Sequence, residues 1–269
     1  MPLEPLLTRI SGGGYLAHPR YQGCIGHWMV REGAGATVND LARGGNSNNG
    51  AFGTSTNAPL WTGGLFGSAL SFDNSNDYVN CGSDVLFDNI TLMTVVAWIF
   101  PKSAGLATVN TVYRGAIVTK GLTGVGWNLS LSSADGVSVG VKFSSCHVTT
   151  NMIHRTTDGT LLLNVWSHIA CTFLRAASNT PATNAIIYIN GREPTYQTST
   201  GGSGNIQSDA AEEVIIGNNP TSALTQTFDG YIDEVRLYNR ILARDEIISL
   251  YTDPFLEFSP AYRRSRLRG

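Results

Sequence analysis

Lysine is nearly absent from this chain: among 269 residues only Lys102, Lys120 and Lys142 carry an ammonium group. Charge of either sign is scarce, at 14% of residues with a net value of −2, which argues against a general nucleic-acid partner. The four cysteines, Cys24, Cys81, Cys146 and Cys171, show no Cys-x-x-Cys spacing, so a zinc ribbon or redox dithiol is not expected. Cys171 alternates with Ile169 and Phe173 and reads as a buried free thiol, although spacing alone leaves a disulfide open. No apolar run is long enough for a membrane-spanning helix. The opening "MPLEPLLTRISGGGYL" has prolines and an early Glu4 in place of a secretory signal. The expectation is a soluble protein made in a cytoplasm.

Catalytic constellations are missing too. The histidines, His18, His27, His147, His154 and His168, have no His-Glu-x-x-His or other paired-metal spacing. His168 alternates with Trp166 and Ala170 and reads as a packed sheet histidine. There is no Gly-x-Ser-x-Gly elbow, and "GLTGVGWNLS" lacks the Lys-Ser/Thr of a phosphate loop.

What the chain does have is glycine, thirty of them, with many Asn, Ser and Thr. These residues punctuate short apolar or alternating runs from Cys24 to Tyr251: "CIGHWMV", "ALSFDNSNDYVNCG", "TLMTVVAWIF", "GAIVTK", "GWNLSLSS", "VSVGVKFS", "SHIACTFL", "AIIYING", "EVIIGN" and "YIDEVRLYN". Ten such runs without alternating helices imply an all-β, two-sheet antiparallel sandwich. Trp98, Ile117, Leu129, Val141, Ile169, Phe173, Ile187, Ile215, Val235 and Leu237 are its expected core. "INGR" carries the Asn-Gly pair of a tight hairpin. Ile247, Leu250 and Tyr251 fall at i, i+3 and i+4, marking one short C-terminal helix. The reading divides the chain into an extended arm (1–22), the sandwich (23–252) and a basic tail (253–269).

One residue sits badly in this scheme. Strict alternation puts Asp233 on the apolar face with Val235 and Leu237, and turns Glu234 and Arg236 away. An inward carboxylate needs hydrogen bonds, a cation or a metal.

The fragments "GHWMVREGAGATVNDLARGGNSNNGAF", "GSALSFDNSNDYVNCG", "TVVAWIFP", "VWSHIACTF", "IIYINGR" and "FDGYIDEVRLYNRILARDEI", in this order, resemble the laminin-G-like (concanavalin A-like) jelly-roll family over about residues 26–251. Ala243 departs from the family pattern, which has a capping Ser or Thr there. The resemblance implies adjacent first and last strands. Asp233 would then face the loop "TVNDLARGGNSNNG", where Asp40, Asn46 and Asn49 could complete a structural calcium site. A hydrogen-bonded loop, with Asp40 and Asp233 accepting backbone N–H groups, is the other reading. Hydrolases of this fold carry a Glu-x-Asp-x-x-Glu strand. The closest string here, "DGYIDE", sends its two acids to opposite faces by alternation, so no enzyme is expected.

Two functions remain open. Glycan recognition would use exposed aromatic rings, with Trp61, Tyr113, Trp127 and Tyr196 as candidates. A structural role in a virion is the preferred expectation. Jelly-roll proteins of bacteriophages are similar to this chain, including an ending of the "LYTDPFLEF" type followed by arginines. Arg263, Arg264, Arg266 and Arg268 would then contact a capsid or tail protein, or further copies of this chain. The alternative is a lectin-like module of a cellular protein.

Overall fold

The computed structural model describes residues 21–42, 48–105, 113–121, 125–177, 180, 184–219 and 226–255. These form two facing antiparallel sheets. In chain order the strands are β1 (Cys24–Trp28), β2 (Thr37–Val38), β3 (Gly50–Phe52), β4 (Leu60–Gly64), β5 (Gly67–Asp73), β6 (Val79–Asn80), β7 (Leu92–Pro101) and β8 (Tyr113–Lys120). They continue with β9 (Trp127–Ser132), β10 (Gly140–Ser145), β11 (Met152–Thr156), β12 (Ser167–Leu174), β13 (Ala185–Ile189), β14 (Tyr196–Thr200), β15 (Val214–Ile216) and β16 (Asp229–Tyr238). One α-helix, α1 (Arg244–Thr252), follows among the described residues. The seven-stranded sheet runs β13-β12-β7-β16-β5-β4, with β1 added on β16, and the nine-stranded sheet runs β14-β11-β10-β9-β8-β15-β6-β3-β2.

Alternation builds the core. The ten residues expected inside are all buried, eight of them in the core between the sheets, with Trp98 and Ile215 outside it, and Phe143 of β10 meets Phe173 of β12 across the two sheets at 4.9 Å. Burying side chains of this size contributes roughly 1.5–3 kcal/mol each. The run "ALSFDNSNDYVNCG" is not one strand: β5 and β6 lie in different sheets, joined by a turn in which Asp77 accepts from the Asp73 N–H and Asp73 from Ser75. Asn190 and Gly191 both take positive φ (51° and 73°), the geometry of the two-residue hairpin between Ile189 and Arg192. None of the four cysteines is in a disulfide, and Cys171 is buried.

A second apolar cluster lies on the outer face of the seven-stranded sheet, where alternation alone predicts solvent. Helix α1 lays Ile247 and Leu250 over Val96, Ala170, Tyr188 and Tyr238. Ala243 provides no side-chain cap, and Glu246 reaches back to accept from the Ala243 N–H at 2.9 Å while pairing with Arg240. The helix is therefore half-capped and otherwise held by packing.

β16 departs from strict alternation. Residues Asp229–Ile232 pair with β5, Val235–Tyr238 pair with β1, and the register against β7 slips between Asp233 and Arg236. Glu234 sits at the slip with φ of 50°, a β-bulge in left-handed conformation that costs a non-glycine residue roughly 1–2 kcal/mol. The extra residue reverses the facing of everything before it. Asp233 stands opposite Trp98 on the outer face, and Ile232, Val235 and Leu237 point into the core. The expected inward facing of Asp233 is thereby corrected.

Candidate functional site

The bulge creates a buried ionic junction. β5 and β1 abut end to end along β16, and Arg31, just beyond β1, fills the joint. Its Nη1 donates to Ser68 O at 2.9 Å and to Asp233 Oδ1 at 2.7 Å, and its Nη2 to Glu234 Oε1 at 3.4 Å. Both carboxylates therefore turn toward one guanidinium, against the expectation that alternation would separate them. Glu234 also accepts from His27 Nε2 at 3.0 Å and from Arg236 Nη2 at 3.2 Å. With the Nε2 proton committed to Glu234, Nδ1 of His27 takes the Tyr21 hydroxyl.

Burial and charge pull in opposite directions here. Burial pushes the Asp233 carboxyl up to about 7, only partly opposed by Arg31. Burial would raise Glu234 as well, but His27, Arg236 and Arg31 together hold it below its ordinary value. His168, buried nearby, is pushed down to about 3, first by burial and then by Arg236.

The entry and exit of the sandwich close over this junction. Arg236 Nη2 donates to Pro254 O at 2.7 Å, just after α1, and its guanidinium lies 6.0 Å from the Tyr21 ring, just before β1. Arg31 faces the Phe255 ring at 5.4 Å, and Phe255 packs edge-on against Phe66 at 5.0 Å.

Asp40, Asn49 and Asp233 of the candidate calcium set are each engaged by protein groups. The first and last strands are adjacent, as the resemblance implied. Asp233 is nevertheless met by Arg31. Asp40 Oδ1 accepts the backbone N–H groups of His27 and Ala42, both at 2.9 Å, and Asn49 Oδ1 accepts from Asp40 N. That is the hydrogen-bonded loop of the alternative reading for Asp40, with a cationic side chain in that role for Asp233. Asn46 lies outside the described residues. Among the described residues no three His, Cys, Asp or Glu side chains are grouped to hold a metal.

The proposed sugar-stacking rings fare unevenly. Trp127 is a core residue, 3% exposed, stacked toward Phe143, which removes it from the surface. Its strand begins with the ring on the inward side of the alternation. Tyr196 is a structural pin: from the edge of the nine-stranded sheet its hydroxyl accepts from Ile187 N at 3.1 Å, on the edge of the other sheet, and its ring stacks on His154. Trp61 is half-buried, with Nε1 donating to Gly35 O at 2.7 Å and its ring against Phe52. Tyr113 begins β8 opposite Ser132, and its side chain lies outside what is described. So do Arg263, Arg264, Arg266 and Arg268. Arg31, His27 and Arg236, which organise the junction, escaped the sequence reading. Their signal was three basic residues, one in the first strand, one just after it and one in the last strand, beside two acids.

A family model described as the concanavalin A-like lectin/glucanases superfamily matches residues 72–248, about two-thirds of the chain. No curated protein sequence matches significantly. Among solved structures, the binding domain of Paraclostridial Mosquitocidal Protein 1 is similar at 15% identity and a TM-score of 0.58, over 88% of this chain and 53% of that one. The botulinum neurotoxin serotype D/C binding domain is similar at 12% identity and a TM-score of 0.59, over 87% and 52%. The chain thus spans about half the length of these toxin domains. Domain 4 of AbnA, a GH43 extracellular arabinanase from Geobacillus stearothermophilus solved with arabinotriose, is matched over 98% of its length and 85% of this chain, at 16% identity and a TM-score of 0.55. At these identities the likeness is one of fold.

Proposed function

Given that this chain belongs to the concanavalin A-like lectin/glucanase superfamily, we propose that it is a non-catalytic, virion-associated binding protein, fixed in an assembly by its two ends and contacting glycans with its exposed surface. The observation that carries the attachment is the double engagement of Arg236, which holds Pro254 and faces Tyr21. Both ends of the sandwich leave from one place, so the arm 1–20 and the arginine-bearing tail can reach the same capsid or tail partner, or a second copy. The non-catalytic reading is supported by the state of the adjacent acids: Asp233 and Glu234 are buried and met by Arg31, Arg236 and His27, not poised across an open cleft as glycoside hydrolysis requires. The glycan contact is supported by the full-length match to a sandwich solved with arabinotriose.

The test is deletion of residues 1–20 and 256–269. A folded sandwich that no longer incorporates into particles is the expected result; unchanged incorporation sinks the attachment role. That same full-length match favours a second reading, a carbohydrate-binding module of a cellular protein. Selective glycan binding by a protein that never enters particles would establish it.

A further inference from the structure

Beyond the half of the seven-stranded sheet that α1 covers, the outer face carries a row of side chains in cross-strand register. Leu60 of β4 stands opposite Ser71 of β5, Ser71 opposite Tyr231 of β16, and Tyr231 opposite Phe100 of β7. Ile99 pairs with Ser167, which sets Trp166, just before β12, beside Phe100. The three rings lean on one another: Phe100 and Tyr231 are nearly parallel at 5.3 Å, with Trp166 5.7 Å from the first and 6.3 Å from the second. All three are half-buried, Leu60 at one end of the row is 72% exposed, and Val165, next to Trp166 in the chain, is 44% exposed. On one side the row meets a wall where Tyr251 stacks on Trp98 and Phe66 packs against Phe255. On the other it meets a polar rim, with Lys102 Nζ 4.3 Å above the Tyr231 ring and the Lys102 N–H bonded to Asp229 O.

We infer that this row, Tyr231–Phe100–Trp166, is the glycan-binding platform, and that it takes a neutral, linear oligosaccharide laid across the strands. The inference rests on the glycan contact proposed above and locates it. Size decides the class of partner. Five strand positions span roughly 20 Å and one row is roughly 7 Å wide, from strand spacing and rise. That footprint is far below the roughly 800 Å² per partner of a stable protein interface. An extended sugar chain fits it. The mutual packing of the rings fixes their rotamers before ligand arrives, so little side-chain entropy is lost on binding. The five side chains of the row, Leu60, Ser71, Tyr231, Phe100 and Trp166, carry no charge, which favours an uncharged ligand over a sulfated or sialylated one.

The test uses the full chain in native affinity gels containing soluble arabinan, xylan, mannan or mixed-linkage β-glucan, with heparin as the charged comparison. At least one neutral polysaccharide should retard the protein. Trp166→Ala and Tyr231→Ala should each weaken retardation at least tenfold with an unchanged melting temperature. If either variant melts early, Lys102→Glu, an exposed change against the same ring, replaces it and should weaken binding by a similar factor. Retardation that survives all these changes overturns the site while leaving glycan contact intact. Retardation by heparin alone overturns the neutral ligand, and no retardation by any polysaccharide overturns both the platform and the glycan reading. Loss of particle incorporation in Trp166→Ala, without loss of sugar binding, would mark the row as a protein contact and also overturn it.

Discussion

Arg31 and Asp233 meet at 2.7 Å where β16 changes its partner from β5 to β1. Neither strand alone could bring them together; the joint between two short strands and the extra residue in the long one does. Replacing Arg31 with alanine leaves Asp233 and Glu234 side by side in a buried site without their shared cation. Removing one partner of such a pair costs about 3–5 kcal/mol. Urea unfolding of Arg31→Ala should show a loss of that order. A loss below about 1 kcal/mol, typical of exposed pairs, would mean the junction is solvated.

Asp233 gives the stability an unusual slope. Its carboxyl keeps a proton up to about 7 when folded, against 3.8 when free. The folded chain therefore binds more protons across that window, and folding weakens as pH rises through it. His168 has the opposite sign: at about 3 folded against 6.5 free, only the unfolded chain takes up its proton as pH falls, and stability is lost on the acid side. Melting curves should show Asp233→Asn flattening the rise-related loss, and His168→Gln flattening the acid one.

Ala243→Ser should stabilise the protein by about 0.5–1 kcal/mol, because α1 begins without a side-chain acceptor for its first N–H groups. Glu246 already satisfies the Ala243 N–H, so the new hydroxyl completes a reciprocal pair. A thermal melt that shows no gain would mean the helix end is fully satisfied by other contacts.

Gly191→Ala should cost about 1–2 kcal/mol. Its φ of 73° is left-handed, and an added Cβ would come within 3.2 Å of Ile248 on α1. The same substitution at Gly159, also at positive φ but with open space around it, should cost only the backbone part. Equal losses at the two sites would show that the Ile248 contact is inconsequential.

Calcium removal should leave the melting temperature where it is, since Arg31 supplies the positive charge that Asp233 needs and Asp40 is bonded to backbone. A midpoint that falls in EDTA and recovers with added calcium would establish a metal site despite this geometry.

The sandwich was legible because period-two alternation and turn residues are local signals, and eight of its ten expected core residues needed nothing else; Trp98 and Ile215 are buried outside the core between the sheets. The junction was not. Asp233 was misfaced because a bulge adds one residue without altering composition, and a left-handed Glu234 has no sequence mark as Asn190-Gly191 does. The outer row was half-visible: Phe100, Trp166 and Tyr231 each alternate with core residues, but only strand order places them side by side. Trp127 and Tyr196 were chosen by residue type, which does not say which side of a sheet a ring occupies.

The meeting of Tyr21 and Pro254 at Arg236 has a consequence for engineering the chain. Because the entry and exit of the sandwich share one anchor, a short flexible linker from Phe255 to Tyr21 should close the backbone into a ring without straining it. New ends can then be opened in the turn between β9 and β10, where Ala134, Asp135 and Val137 are exposed. Such circular permutants tolerate cuts where few contacts cross. A permuted chain would carry its termini on a different side of the molecule from Tyr21, so a fusion partner or surface tether could be attached there with the junction undisturbed.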